Sequence, residues 1–277
     1  MKRILSLIIS CALFGTVLVT GCSSEPEQTA ASEVSGITQE QIEENIVGMW
    51  LMTEVDGHPA LTSEMRVLDI VSTSQAYSSM SRVGVPYAPF VNRAEASVDI
   101  NGNVLTVTIN DAEGHSPVQE YVLSEINANR FTGSISLPVG LPGESSDSEP
   151  VYEENTVSFT RISDDFSGDI IGTWEGHCTS EGSYFDDGYE HRWEFRNDGS
   201  YVYYTLEGDS WVAAEDSSND YFVAGTLLCL RWTEGEIEYR EWWEVSIGGD
   251  TMSWVARCEN DDGTTYTATF EMTRVAE

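Results

Sequence analysis

The sequence predicts an all-β protein built as two tandem antiparallel up-and-down eight-stranded β-barrels behind an N-terminal export segment. Three observations carry this. The ends of one unit recur in a second. Apolar and polar residues alternate with period two. Gly, Asn and Asp clusters punctuate that alternation at short intervals.

The repeat comes first. Ile46-Val47-Gly48-Met49-Trp50 returns as Ile170-Ile171-Gly172-Thr173-Trp174, and Phe159-Thr160-Arg161-Ile162 returns as Met272-Thr273-Arg274-Val275. Self-similarity at both ends of two units of about equal length marks two domains, 41–163 and 168–277, joined by a short polar linker.

The second unit alternates cleanly. Tyr266, Ala268, Phe270 and Met272 share one face. So do Tyr239, Glu241, Trp243 and Val245, and likewise Met252, Trp254, Ala256 and Cys258. Such a period means strands with one buried face. Turn signals at Asn197-Asp198-Gly199, Glu207-Gly208-Asp209, Gly248-Gly249-Asp250 and Asp261-Asp262-Gly263 separate them. The expected strands are about 172–178, 190–197, 200–207, 210–215, 221–232, 237–247, 251–258 and 264–274. Eight antiparallel neighbours with one apolar face close into a barrel without free edges. In the first unit, strands near 93–101, 103–109, 118–126, 129–137 and 155–162 are clear, whereas 74–91 has no clean period.

Composition limits the function. The chain of 277 residues has 47 acids against 13 basic residues, a formal charge of -34. That excludes nucleic acid as a partner, since phosphates need Lys and Arg. Its 40 % hydrophobic content supports packed cores.

Residues 1–21 form a signal peptide: Lys2 and Arg3, then an apolar run from Ile4 to Val19. The run ends in Val19-Thr20-Gly21-Cys22, which resembles a bacterial lipobox. The resemblance implies acylation of Cys22, by palmitate-type chains, and anchoring in the cell membrane or outer membrane, facing periplasm or exterior. More than one chain is needed for stable anchoring. Residues 22–40 are polar and read as the acylated Cys and a disordered tether. The acidic body is repelled by anionic head groups, so the lipid alone makes the expected membrane contact.

The Gly-x-Trp of each first strand and the Arg of each last strand resemble the lipocalin, or calycin, pattern. The resemblance implies lipocalin-like barrels on a bacterial lipoprotein, with Trp50 and Arg161, and Trp174 and Arg274, plugging the closed barrel ends. An inward Arg over a Trp is a cation–π plug. The family's central motif is absent.

Candidate chemistry is sparse. No metalloprotease, P-loop or nucleophile-elbow motif occurs, so no catalytic residue, metal or cofactor is assigned. His177 and His191 flank one loop containing Asp186 and Asp187, and read as a solvated acidic loop ahead of a metal site. Cys178, Cys229 and Cys258 all lie in domain 2. In an oxidising envelope they allow one disulfide out of three pairings, with Cys178–Cys258 favoured by phase and zinc as the alternative. Seven of eight Trp lie in domain 2. Trp193, Tyr239, Glu241, Trp243 and Trp254 form an expected inner wall that fits either a small apolar or aromatic ligand or a filled core. Trp242, out of phase with Trp243, points outwards. The function expected is a non-catalytic, lipid-anchored envelope protein whose domain 2 takes a small ligand. The alternative is a structural or protein-binding lipoprotein with filled barrels. An enzyme would need a titrating group inside, for which Glu241 is the candidate.

Overall fold

A computed structural model describes residues 36–81, 90–110, 117–139, 151–180, 183, 185, 187–214, 219–235, 237–260 and 262–276. The signal peptide, Cys22 and most of the tether lie outside the described residues, as does Asp186.

A short helix, α1 (Gln39–Asn45), opens the fold. Thr38 caps it: its hydroxyl accepts from the Gln41 N–H while the Gln41 side chain accepts from the Thr38 N–H. Ile42 and Ile46 drop from it into the first core. The strands of domain 1 follow as β1 (Gly48–Val55), β2 (His58–Pro59), β3 (Arg66–Ser72), β4 (Gln75–Ser81), β5 (Phe90–Asn101), β6 (Val104–Ile109), β7 (Val118–Ile126), β8 (Arg130–Val139) and β9 (Val151–Ile162). Neighbours pair in sequence, with β2 as a short arm beside β1. The circle closes between β1 and β9, where Trp50 faces Arg161 and Met52 faces Phe159. This is one closed eight-stranded barrel. Trp50, Phe131, Tyr121 and Phe159 fill its interior, with the rings of Phe131 and Phe159 stacked at 4.5 Å.

Domain 2 comprises β10 (Gly172–Cys178), β11 (His191–Phe195), β12 (Tyr201–Glu207), β13 (Ser210–Ala213), β14 (Asp220–Ala224), β15 (Leu227–Glu234), β16 (Ile237–Gly248), β17 (Thr251–Glu259) and β18 (Thr265–Arg274). Its order is β13-β12-β11-β10-β18-β17-β16-β15-β14, an open sheet with edges at β13 and β14. The expectation of two tandem lipocalin-like barrels is therefore corrected: one sheet closes and the other does not. The reason lies at Gly225. The segment expected as one strand, 221–232, folds back there, at a φ of 60°. Ala224 then pairs with Leu227 across a two-residue turn. The extra hairpin leaves β14 as an edge, and only an isolated bridge from Ser200 to Asp220 spans the seam.

The β14–β15 hairpin is apolar over Tyr221–Ala224 and Leu227–Leu230 because both of its faces are buried there. Tyr221, Val223, Leu228 and Leu230 face the sheet's own interior. Phe222, Ala224, Leu227 and Cys229 instead face domain 1, against Leu51, Met65 and Val67. Polar contacts frame this apolar seam. The Trp242 indole N–H donates to the Ser81 carbonyl at 2.7 Å, so the outward-phase Trp is a contact between domains. Arg257 donates from its backbone N–H to the Thr62 hydroxyl and from its guanidinium to the Ala60 carbonyl. The guanidinium of Arg231 lies 4.4 Å over the Phe90 ring.

The two repeated ends have one geometry. In each, the Trp indole N–H donates to the carbonyl four residues earlier, Trp50 to Ile46 and Trp174 to Ile170, both at 2.7 Å. Arg161 lies 4.1 Å over the Trp50 ring and Arg274 4.1 Å over that of Trp174. The guanidinium of Arg161 donates to the carbonyls of Asn45, Val47 and Ala128, and that of Arg274 to Asp169 and Ile171.

Candidate functional site

The inner face of the open sheet is an aromatic box. Trp193 projects from β11, Trp243 from β16, Trp254 from β17 and Phe270 from β18, all buried. Strand parity puts them on one face, and the registers bring them level: Trp254 lies opposite both Val245 and Phe270. Trp193 and Trp254 centroids are 4.9 Å apart, and those of Trp243 and Phe270 5.4 Å apart. Phe185, from the loop after β10, meets Trp243 edge-on at 5.0 Å.

Polar groups are set into this box. Glu241 shares the inward phase of Trp243 and is only partly covered, although protein surrounds its carboxyl. Among the described residues its one hydrogen bond is long, from the Trp243 indole N–H at 3.3 Å. Desolvation pushes its pKa up to about 7, against the lowering by that N–H. The Trp254 indole N–H is fully buried and has no partner among the described residues. Opposite runs a relay of three side chains. His191 Nε2 lies 3.1 Å from Asp187, and His191 Nδ1 lies 2.7 Å from the Tyr203 hydroxyl. In the neutral imidazole this makes Nε2–H the donor to Asp187 and Nδ1 the acceptor from Tyr203. Tyr203 is itself raised, by burial first and then by the charges of Asp187 and Glu241.

The structure thus brings Trp193, Glu241, Trp243 and Trp254 together. Tyr239 stands further along β16, stacked on Trp232 at 5.5 Å. His191, Tyr203 and Phe270 complete the wall, and sequence reading named none of the three as a ligand-site residue. The signal was present: His191, Trp193 and Phe195 alternate along one strand, as do Tyr201 and Tyr203 on the next. His177 lies at the end of β10 and His191 opens β11, so the two flank one loop but point apart. His177 turns outward to Glu190 at 3.3 Å, whereas His191 turns inward.

The expected Cys178–Cys258 disulfide is also corrected. Cys178 faces Phe270 and Cys258 faces Tyr266, on strands flanking β18. That offset is roughly 10 Å across the sheet and 13 Å along it, beyond the roughly 7 Å a disulfide spans. Cys178, Cys229 and Cys258 are all free thiols. Burial raises the Cys258 thiol and lifts that of Cys229, at the domain seam, well above its ordinary value. Among the described residues no three His, Cys, Asp or Glu side chains converge as a metal set would.

The arrangement packs the indoles against one another and sets beside them an unspent N–H on Trp254 and a carboxyl poised between its two protonation states.

No family model matches the chain, and no curated protein matches it. Among solved structures, a protein of unknown function from the DUF3598 family of Nostoc punctiforme aligns with 86 % of this chain and 100 % of its own, at 12 % identity and a TM-score of 0.27. A likeness of that score carries neither fold nor function across.

Proposed function

We propose that this chain is a binding protein of the cell envelope, tethered by lipid at Cys22, whose open second sheet takes a small aromatic or apolar ligand that carries a protonated amine. The observation that carries the reading is Glu241: a carboxyl among indoles, partly accessible yet enclosed, with one long hydrogen bond. A buried carboxylate needs a donor or a cation, and among the described residues none of sufficient strength faces it. The indole faces of Trp193, Trp243 and Trp254 favour a cation for the same electrostatic reason. The orphan Trp254 N–H supports an acceptor atom on the same ligand. No reaction is assigned, because the relay through His191 ends on a phenol that burial keeps protonated.

Benzylamine, benzyl alcohol and benzoate, titrated while following Trp fluorescence, test the site. Benzylamine is expected to bind about tenfold more tightly at pH 8 than at pH 6, as Glu241 ionises. Glu241→Gln should erase that dependence. Equal binding of benzoate would sink the reading, and so would no binding of benzylamine.

The tether has its own test. The protein made in a bacterium should partition into the detergent phase on Triton X-114 separation, and Cys22→Ser should move it to the aqueous phase. A Cys22→Ser protein that stays with detergent would overturn the anchor.

A further inference from the structure

Arg66 starts β3 and shares its inward phase with Leu68 and Ile70, which belong to the core of the closed barrel. The guanidinium is therefore inside. The residue is 2 % exposed. An arginine cannot shed its charge, so burial must be answered by a partner. The other described arginines all have one. Arg93, Arg130, Arg192, Arg196, Arg231 and Arg240 pair with carboxylates, and Arg161, Arg257 and Arg274 donate to carbonyls. Among the described residues no acid or carbonyl takes a hydrogen bond from Arg66, and its Nε has no partner. The guanidinium does meet the phenol of Tyr121, which takes a hydrogen bond from Arg66 and donates to Gln119 at 2.8 Å.

A second orphan lies beside it. Ser78 is fully buried, and its hydroxyl has no hydrogen bond. The register places Ser78 opposite Leu68 and Met80 opposite Arg66, so Ser78 and Arg66 are diagonal neighbours on adjacent strands, within side-chain reach. The wall here is made of small residues, Ala76 and Ser78 on β4 and Ala94 and Ala96 on β5. Among the described residues no carboxylate pairs with this buried arginine, and its Nε is left unspent. Two unspent donors on a light wall, one of them a fixed cation, mark a site for an anion.

We propose that the closed barrel of domain 1 binds a compact anion on Arg66, with the Ser78 hydroxyl as second donor. The anion is the carboxylate of a small organic acid or an inorganic phosphate. The site is separate from the box in domain 2 and needs nothing from it.

Thermal unfolding of the purified protein, with octanoate or inorganic phosphate added at constant ionic strength, tests this. One of the two should raise the midpoint by roughly 5 °C or more at about a hundredfold excess over its Kd, and which one does so names the source. Arg66→Met should lose the response. It should also unfold, without anion, at or above the wild-type temperature, because an unanswered charge has been replaced by an apolar side chain of similar length. The proposal is overturned if the wild type answers to neither anion. It is overturned too if Arg66→Met keeps the response, or falls well below the wild type without anion. Should Arg66→Met not fold, Ser78→Ala decides: it should weaken the anion response several-fold, and an unchanged response counts against the site.

Discussion

Glu241→Gln should make the protein more stable than the wild type at pH 8, by about 2–3 kcal/mol, and leave it nearly equal at pH 5. The pKa of Glu241 stands at about 7 in the folded chain, against 4.5 for the free side chain. Between those values the folded state binds more protons than the unfolded one. Stability from this group is therefore full below about pH 4.5 and lost as pH rises through 7. Each unit of difference is worth about 1.4 kcal/mol, and partial accessibility trims the total. A neutral amide has no such dependence. Urea unfolding at pH 5, 6, 7 and 8 reads the gap between the two proteins, and the other titrating groups cancel in it. A gap that stays constant across the series would show that Glu241 does not titrate inside the box. A bound amine should close the gap from the other side, by stabilising the wild type at pH 8 and not the Gln variant.

How far this was legible depends on what each residue answers to. Strands with one buried face announce themselves by period two, so Trp193, Glu241, Trp243 and Trp254 could be placed on one inner wall without coordinates. The repeated Gly-x-Trp and terminal Arg could be read because both ends of a unit meet in space. The hairpin at Gly225 could not. The hairpin from Tyr221 to Leu230 is apolar on both faces, one for the sheet and one for domain 1, and a run without alternation hides its own turn. That one hidden turn changed an expected barrel into an open sheet. Arg66 was hidden for another reason. Its phase with Leu68 and Ile70 is plain, but its want of a partner is a property of the neighbours, set by pairing across β3, β4 and β7. The cysteines failed similarly: shared phase put Cys178 and Cys258 on one face, and only the register to β18 shows them four residues out of step.

The docking of the domains has a consequence for the site. An edge strand offers unpaired backbone groups to other chains. Here β14 lies against domain 1, with Phe222 meeting Phe90 edge-on at 5.0 Å. The first barrel thus packs on the outward face of that strand, while its edge is met in part within domain 2, where the Tyr221 N–H donates to the Gly199 carbonyl at 2.8 Å. The opposite edge, β13, is short, at four residues, which limits it as a template.

A large loss of stability from a single methyl group should come at Gly48. Its φ is 145°, a conformation that side chains disfavour, and an added Cβ would fall on the guanidinium of Arg161. Gly48→Ala must strain the backbone and expel the arginine together. Strain of this kind costs about 1–3 kcal/mol, and the displaced charge-assisted hydrogen bonds to Asn45, Val47 and Ala128 cost about as much again. A total of about 3–5 kcal/mol is expected by urea unfolding, and Gly172→Ala should behave alike, since its Cβ would lie 2.5 Å from Arg274 Nη1. Gly168→Ala, where a Cβ meets nothing within 4 Å, should change stability little. The double variant separates strain from the lost cap. If Gly48→Ala already drives Arg161 off Trp50, then Arg161→Ala should cost far less in that background than in the wild type. Additive costs would mean that the arginine holds its place and that the glycine is needed for its backbone alone.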